Sequence, residues 1–584
     1  MESNPAPKLA ALGDFDFSNL PNADDPAFLA ESDEVTLSQA IRDQAAELQH
    51  DPVLIYHWVR NNIETIPGYG SYQNADLTLG AQRGNPFDVA SLLIALLRAS
   101  EIPARYAMGV AEIDADQYTN WLGDFTNVDV AIDYAVSNGI AIQAVTSGGE
   151  ITRVRSQHVW VQAAIDYFPS RGAKNRSADA WVDLDASFKQ HEYRQGIDIS
   201  DASNIDAEAI ATQYINSGTV VVNDGFIQNV NTSGLLAAQE QVREELQTFI
   251  DNNFTDATVG DVIGGPRTIV KEYPTLPSGL PYTKFNQGAT YAAVPSNLQN
   301  RASVGFGNNR VTFPFAQVNN QKVTLQFTPA TPEDEAALVA LLPEGEITDF
   351  SQLPSSIPSF LIRVIPELSL NGDVFLQGST RRLGDETTLT YQFSGPVATS
   401  APVNYSLVAG SFVNVPLISQ TISSTVLRDL QIRVQQTQAR LESRDQGQIA
   451  NLTREDLLGD LFSAGGLSYF EQSIAHSEYL ALQNRGAQRL ETGFGSFGYE
   501  PNVDSFFGIP RAIETGGIAL NMLFVHATQS HDGSNEGRVA LRSQVGLISS
   551  ALEHFVPEQM FSDINNPPQG FSTARALELS LIHI

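Results

Sequence analysis

The sequence predicts an α+β protein with a helix buried among strands, followed by a β-sandwich-like domain and a helical C-terminal region. Residues 86–99 (PFDVASLLIALLRA) are apolar on nearly every side, as in a helix buried all round. Residues 323–328 alternate apolar and polar side chains, which is the period of a half-buried strand. Leu427, Leu430 and Val434 recur at helical spacing, which is typical of a helix that faces a core.

The length of 584 residues suggests about three or four domains. Composition divides the chain into an acidic flexible lead-in (1–34), a mixed domain (35–198), a helical connector (199–260), a β-rich accessory domain (261–424) and a helical region (425–584). The closing residues LSLIHI resemble translated sequencing-adapter read-through, so we expect the last region to be truncated at its C-terminus.

Charge and cysteine content exclude several classes of protein. The chain has 34 Lys and Arg against 67 Asp and Glu, a net charge of −33, which disfavours binding to nucleic acid and to anionic membranes. With no cysteine it can have no disulfide, thiolate zinc site, iron–sulfur cluster or cysteine nucleophile. The histidines lack metal-ligand spacing, and no calcium loop motif is present. We therefore expect no metal site and no cofactor.

The start of the apolar helix carries a clear capping pattern. Asn85 is expected to be the N-cap, Pro86 the first helical residue, and Asp88 the third residue, whose carboxylate favours the positive helix end. Pro103 ends the helical character before a strand.

Two later predicted strands carry a histidine and an aspartate that could lie close together. In HVWVQAAI the residues His158 and Trp160 lie on one strand face, and in WVDLD the residues Trp181 and Asp185 share a face. A histidine and an aspartate on neighbouring strands can pair, and the carboxylate then fixes the imidazole tautomer as in an acid–base dyad. Spacing alone favours a structural contact without chemistry.

These segments together resemble the transglutaminase-like superfamily. The segment RGNPFDVASLLIALLRASEIPARYAMG is similar to the pattern G-x-C-x-D-x-A, an apolar helix, and L-L-R-A-x-G-I-P-A-R, with Asp88, Ala90, 96–99 and 102–105 matching residue for residue. HVWV resembles the family's histidine strand and WVDLD its aspartate strand, in the right order across residues 50–195. The resemblance implies a papain-like core, in which a cysteine at the start of a buried helix faces His and Asp on an antiparallel sheet.

The chain departs from the family at the nucleophile. Anchoring the motif on Asp88 and Ala90 places Pro86 where the family has its cysteine, with Asn85 just before it. Glu101 also replaces the glycine that precedes the Ile-Pro-Ala-Arg element. The resemblance therefore assigns His158 and Asp185 to triad-like positions and leaves Pro86 without a nucleophilic atom. Asp88 has a capping role and the Asn85 amide is a poor nucleophile, so neither is favoured as a substitute.

Three further residues are candidates for ligand binding. Trp160 and Trp181 flank the His and Asp strands and could form a stacking wall, although packing is the commoner role of such residues. Gln73, in the loop before the apolar helix, could donate to an oxyanion.

The function predicted from these observations is a non-catalytic, peptide- or protein-binding or structural module of a larger bacterial protein. One alternative is an amidase, acyl transferase or peptidase of the same fold that uses a noncysteine mechanism around His158 and Asp185. Another is an adhesion or scaffold protein. The expected partner is a peptide or protein, with no nucleic acid and no membrane insertion. The layout resembles large surface or secreted bacterial proteins, which implies an extracellular or cell-surface location, although the N-terminus shows no signal peptide.

Overall fold

The computed structural model describes residues 11–196, 202–203, 206–221, 226–228, 233–253, 264–343 and 354–561. The predicted truncation at the C-terminus falls on residues 562–584 and so lies outside the described residues, as do residues 1–10 of the predicted lead-in. The mixture of helices and antiparallel sheets confirms the predicted α+β class.

The α-helices alternate with strands in the first 200 residues and become longer towards the C-terminus. They are Gln39–Glu47, Pro52–Asn62, Ala75–Ala81, Pro86–Ala99, Ala115–Leu122, Val128–Ser137, Ala207–Ser217, Ser233–Asn253, Phe315–Val318, Pro332–Val339, Ser424–Ser443, Gln446–Ile449, Asp460–Gln483 and Asn535–Phe561.

A five-stranded antiparallel sheet forms the core of the first domain. Its strands run in the order Thr283–Tyr291, Ala104–Asp114, Glu150–Ile165 and Ile142–Ser147, and Ala180–Leu184 also pairs with Glu150–Ile165. We call Glu150–Ile165 the histidine strand and Ala180–Leu184 the aspartate strand. The central helix, Pro86–Ala99, shares one core with the apolar face of both strands, including Val159, Val161 and Leu184. The predicted buried helix on an antiparallel sheet is therefore present.

Strand Ile142–Ser147 and the aspartate strand pair with the same edge of the histidine strand, and a gap separates them. Ile142–Ser147 pairs with the histidine strand up to Ser156, and the aspartate strand pairs with it from Val161 onwards. His158 lies between these two ladders. The split leaves room at this edge for the start of the central helix, and Pro86 and His158 line a common cavity there.

The start of the central helix is capped as the sequence predicts. The Asn85 side chain accepts hydrogen bonds from the backbone N–H groups of Phe87 and Asp88, at 2.8 and 3.2 Å. Asp88 Oδ2 accepts from the Asn85 N–H at 3.1 Å and completes a capping box. At the other end Glu101 has φ +59°, the left-handed conformation that a glycine adopts without steric cost. Glutamate therefore keeps the backbone geometry expected of the family's glycine.

Two further sheets follow and share a second core. A four-stranded sheet contains Asn309–Pro314, Arg301–Phe306, Glu386–Ser394 and Val403–Val408. A nine-stranded sheet contains Ser356–Pro358, Ile509–Ser530, Gly486–Phe506, Phe412–Asn414, Val323–Pro329, Arg363–Leu370 and Asp373–Gln377, with Arg381–Arg382 and Leu417–Ile418 off this path. Side chains of both sheets, such as Tyr391 and Leu325, pack in one cluster, as in a β-sandwich. The described residues also contain three small sheets of two strands each: Glu64–Thr65 with Arg83–Gly84, His191–Gln195 with Gly264–Thr268, and Thr219–Val221 with Phe226–Gln228.

The C-terminal helices are present, but a long β-hairpin lies between them that the sequence patterns did not predict. Strands Gly486–Phe506 and Ile509–Ser530 form this hairpin and extend the nine-stranded sheet. Helices Asp460–Gln483 and Asn535–Phe561 pack against it. Many glycines in GFGSFGY conceal the strand period, and close approach of neighbouring backbone requires some of them: a Cβ on Gly498 would lie 2.2 Å from the Phe412 carbonyl oxygen.

The described part of the lead-in is packed against the core sheet rather than free, contrary to the expectation for residues 1–34. Phe15, Leu20 and Phe28 are buried, and Phe15 and Leu20 belong to the core of the first domain. Asp16 forms a backbone bridge with Ser177. Acidic composition predicted a solvated segment, but the interspersed aromatic and aliphatic side chains bury enough apolar surface to dock it.

The strand assignment also moves a domain boundary. Thr283–Tyr291, which composition placed in the β-rich accessory domain, is the edge strand of the core sheet beside Ala104–Asp114. The first domain therefore draws residues from both sides of the connector.

We expect replacement of Asn85 by alanine to destabilise the protein by about 1–2 kcal/mol, because two helix N–H groups lose their acceptor in a buried site. Chemical unfolding monitored by circular dichroism measures the change. Asn127→Ala removes the cap of Val128–Ser137 at an exposed position and is the matched control, with a smaller expected loss. Equal losses in the two variants would contradict the role of burial at Asn85.

Candidate active site

His158 and Asp185 form a buried pair. His158 Nε2 lies 2.8 Å from Asp185 Oδ2, and the two side chains are each 2% exposed. His158 pairs with Gly109 on one edge of the histidine strand and has no strand partner on the other edge, and Asp185 follows directly after the aspartate strand. The predicted cross-strand contact therefore exists, and solvent is largely excluded from it.

The Asp185 carboxylate is surrounded by donors. Oδ1 accepts from the Ser187 N–H and hydroxyl, both at 2.7 Å, and from the Phe188 N–H at 3.2 Å. Oδ2 also accepts from the Tyr282 hydroxyl at 2.9 Å. Burial raises the pKa of Asp185, but the charge of His158 and the hydrogen bonds from His158 and Ser187 outweigh burial and lower it to about 2. Asp185 is therefore an anion at neutral pH.

An ionised carboxylate only accepts hydrogen bonds, so the proton in the His158–Asp185 contact belongs to Nε2. In the neutral imidazole Nδ1 then carries the lone pair. Among the residues that the structure describes, Nδ1 has no hydrogen-bond partner. Such a nitrogen can take a proton from a nucleophile placed beside it, as a general base does.

The space beside His158 is small and covered. The cavity that Pro86 and His158 line has a volume of about 10 Å³, close to the minimum for one water molecule. Its other walls include Tyr69, Phe87, Trp121 and Ile140. Pro86 is itself buried and has no atom that could attack a carbonyl. No substrate side chain fits between the helix start and the histidine in this conformation.

Trp121 lines the cavity from an insertion, residues 114–150, which lies between the strand after the central helix and the histidine strand. It lies on helix Ala115–Leu122, and its ring contacts the His158 ring edge-to-face, with centroids 5.5 Å apart. Trp121 Nε1 donates to the Ser187 carbonyl at 3.1 Å, and the ring also packs on Phe188. The indole is therefore fixed at both its polar and apolar atoms.

Asn85, Asp88 and Gln73 lie on the other side of the helix start. Asp88 Oδ1 accepts from the N–H groups of Tyr72 and Gln73, each at 3.0 Å. Burial raises the pKa of Asp88 to about 7, against the lowering effect of these backbone donors. The Gln73 side-chain nitrogen lies 3.4 Å from the Arg83 carbonyl oxygen, and Gln73 does not line the Pro86–His158 cavity. These residues hold the helix start, and an oxyanion role for Gln73 stays a prediction.

The two tryptophans flanking the strands do not line that cavity either. Trp160 is 1% exposed, and its Nε1 donates to Asp183 Oδ1 at 2.9 Å. Trp181 donates to the Pro21 carbonyl, and Arg105 stacks on its ring at 3.9 Å. Trp181 thus holds the lead-in, and ligand binding by either ring stays a prediction.

The comparison with known proteins agrees with this geometry. Residues 35–186 match the model of the transglutaminase-like superfamily. The chain contains a transglutaminase-like domain. The domain carries the family's helix and its two motif strands, while the chain has no cysteine. No curated protein and no solved structure matches the chain significantly.

Several residues around the transglutaminase-like site were not found from the sequence. Trp121 lies in an insertion without a family motif, and Tyr282 comes from beyond the connector. Ser187 had a local signal, since a serine two residues after an aspartate often closes a turn on the carboxylate. In the described residues no group of three or more acids and histidines is arranged to hold a metal ion, and no helix is long and apolar enough to cross a membrane.

The depressed pKa of Asp185 predicts a pH-dependent contribution to stability. A carboxyl group with a pKa of about 2 in the folded protein, against about 3.9 when unfolded, contributes about 2–3 kcal/mol above pH 4. This contribution is lost as the pH falls from about 4 to about 2. We expect Asp185→Asn to unfold more easily than the wild type near pH 7 and to approach it near pH 3, as measured by urea unfolding.

Asp133→Asn is the control for this experiment. Asp133 is exposed on helix Val128–Ser137, so the variant should differ little from the wild type at either pH. A difference between wild type and Asp185→Asn that is the same at both pH values would contradict a buried Asp185 anion.

Proposed function

We propose that the transglutaminase-like domain of this chain is a non-catalytic structural module. The observation that carries the proposal is the small size of the cavity at the helix start, about 10 Å³, where proline replaces the nucleophile and Trp121 packs against His158. In this role the His158–Asp185 pair orders the turn after the aspartate strand. The Ser187 carbonyl of that turn then accepts a hydrogen bond from Trp121 and holds the indole in place.

Contacts to the rest of the chain support a scaffolding role. Arg83 forms an ion pair with Glu478 on helix Asp460–Gln483. Arg489, on the long hairpin, donates to Asn138 Oδ1 at 2.6 Å. The Tyr72 carbonyl accepts from the Asn319 side chain at 3.2 Å. The domain thus contacts the β-rich region and the C-terminal region through polar groups that are buried or half-buried, and the buried hydrogen bonds among them are costly to break.

The chemistry of a noncysteine enzyme requires a nucleophile next to Nδ1 of His158. The hydroxyl of Ser187 lies 3.4 Å from Nε2 and already donates to Asp185. Ser187 is therefore on the carboxylate side of the ring and is not positioned as the nucleophile. Ser156 lines the Pro86–His158 cavity, and its hydroxyl donates to the Gln157 carbonyl at 3.3 Å. A peptide ligand would likewise need Trp121 to move out of the cleft.

Installing a cysteine at the nucleophile position tests the closed site directly. We expect the thiol of Pro86→Cys to react with iodoacetamide about tenfold or more slowly than that of Ala144→Cys. The reason is that Pro86 is buried, whereas Ala144 is exposed on the sheet that carries His158. Each variant carries a single thiol, because the chain has no cysteine of its own. Mass spectrometry of the labelled protein over time measures both rates. Adding Trp121→Ala to Pro86→Cys should raise the rate of thiol labelling, because this substitution removes the indole that lines the cavity. A Pro86→Cys thiol that reacts faster than Ala144→Cys would show an open and activated site.

Activity provides the second test. We expect the wild-type protein to release no ammonia from a glutamine-containing peptide in the presence of a primary amine, beyond the level of His158→Ala. Turnover that resists thiol blockers and is abolished by His158→Ala would establish a noncysteine enzyme and overturn the proposal.

A further inference from the structure

A second cavity lies on the opposite side of Asp185 and has no lining residue in common with the Pro86–His158 cavity. Its volume is about 230 Å³. Helix Pro52–Asn62 provides one wall, the turn after Asp185 another, and the segment 271–281 a third. The connection to the site is Tyr56, which lines this cavity and donates through its hydroxyl to the Asp185 carbonyl at 3.1 Å.

Two buried basic side chains line this cavity without a carboxylate. Burial, together with the neighbouring charge of Arg60, lowers the pKa of Lys189 to about 7. Arg60 is 5% exposed and Lys189 is 1% exposed. Lys189 Nζ donates to the carbonyls of Arg60 and Ile63, and Arg60 Nη1 donates to Asn61 Oδ1 and the Ile269 carbonyl. Within the described ranges neither side chain has an acidic group within 4 Å, although the chain has 67 acids.

Arg98 shows how a buried arginine is satisfied by backbone alone. Its Nε, Nη1 and Nη2 all donate to carbonyl oxygens, those of Ala104, Ala30 and Ala292. Arg60, in contrast, uses Nη1 only, and its Nε and Nη2 have no acceptor among the described residues. Arg60 therefore has donors left over beside a cavity.

His57 is a further unsatisfied group in the same wall. It is 7% exposed, and its buried Nδ1 has no hydrogen-bond partner in the described part of the chain. The acids whose charges reach this wall are Asp51 and Glu272 at His57, Asp185 at Arg60 and Lys189, and Glu64 at Lys189. All of them act from beyond ion-pair distance.

A buried cation without a counter-ion is costly, and a bound anion removes that cost. The remaining walls are mostly apolar and include Tyr56, Phe188, Tyr273, Pro277 and Pro281. A cavity of about 150 Å³ lined by apolar side chains holds a benzene molecule, so this larger one holds an aromatic ring with one charged group. An inorganic anion would leave the aromatic walls without a contact.

We propose that this cavity, lined by His57, Arg60 and Lys189, binds a small organic carboxylate with an aromatic or similarly flat apolar body. The carboxylate accepts hydrogen bonds from the free Arg60 donors, and the body packs against the tyrosine and proline walls. This site is independent of the non-catalytic role proposed for the transglutaminase-like domain, because it uses none of the residues at the helix start.

Isothermal titration calorimetry with benzoate tests the proposal on the full chain. We expect benzoate to bind at least about tenfold more tightly than benzamide, its neutral isostere, because hydrogen bonds to a charged group are the stronger ones. Inorganic phosphate should bind more weakly than benzoate. Absence of benzoate binding in the millimolar range, equal binding of benzamide, or tighter binding of phosphate would each overturn the proposal.

Two variants locate the binding site. Arg60→Met should weaken benzoate binding about tenfold or more, while Arg153→Met, at an exposed position on the histidine strand, should leave it unchanged. If Arg60→Met does not fold, Gly279→Phe is the second variant that tests the location of the site. Gly279 lines the cavity, and a Cβ at this position would have no other atom within 4 Å. Gly279→Phe should block binding with little change in the melting temperature. Wild-type benzoate affinity in Gly279→Phe, or in folded Arg60→Met, would overturn the assignment.

Discussion

The buried carboxylate of Asp185 is the constraint on which the site depends. An anion that is 2% exposed is tolerable only if donors surround it, and His158, Ser187, Phe188 and Tyr282 supply them. These donors come from three separate segments of the chain. Satisfying one charge therefore fixes the histidine strand, the turn after the aspartate strand and the segment from beyond the connector relative to one another.

The same arrangement that would support catalysis also supports a closed structure. The Asp185 anion holds the His158 tautomer with Nδ1 free, which is the state a nucleophile would need. Yet the turn that Asp185 organises presents the Ser187 carbonyl to Trp121, and the indole then fills the space in front of the imidazole. In the proposed non-catalytic role, the frame keeps its hydrogen bonds although Pro86 offers no nucleophilic atom and the cavity beside it is about 10 Å³.

The cavity lined by Arg60 and Lys189 differs in charge from the chain as a whole, because basic residues and no acids line it. The chain carries a net charge of −33, and the described ion pairs connect most often through exposed or half-buried arginines. Arg60 and Lys189 are both buried without an acid within ion-pair distance, and Arg60, unlike Arg98, uses only one of its three guanidinium nitrogens in described hydrogen bonds. Composition could disfavour nucleic acid as a partner, but it had no means of locating a local excess of positive charge that arises only when helix Pro52–Asn62 meets the turn after Asp185.

The sequence by itself determined the local features of the transglutaminase-like domain: the capped central helix and the two strands that carry His158 and Asp185. The resemblance to the family added the prediction that Pro86 stands at the nucleophile position. These follow from capping, periodicity and motif order, which are local in the chain. Only the tertiary structure decided that Trp121 closes the site, that Tyr282 completes the carboxylate's donors, that residues 11–34 are packed and that a long hairpin separates the C-terminal helices. Those outcomes depend on contacts between segments distant in sequence, and an insertion, an acidic segment or a glycine-rich strand carries no pattern that specifies its partner.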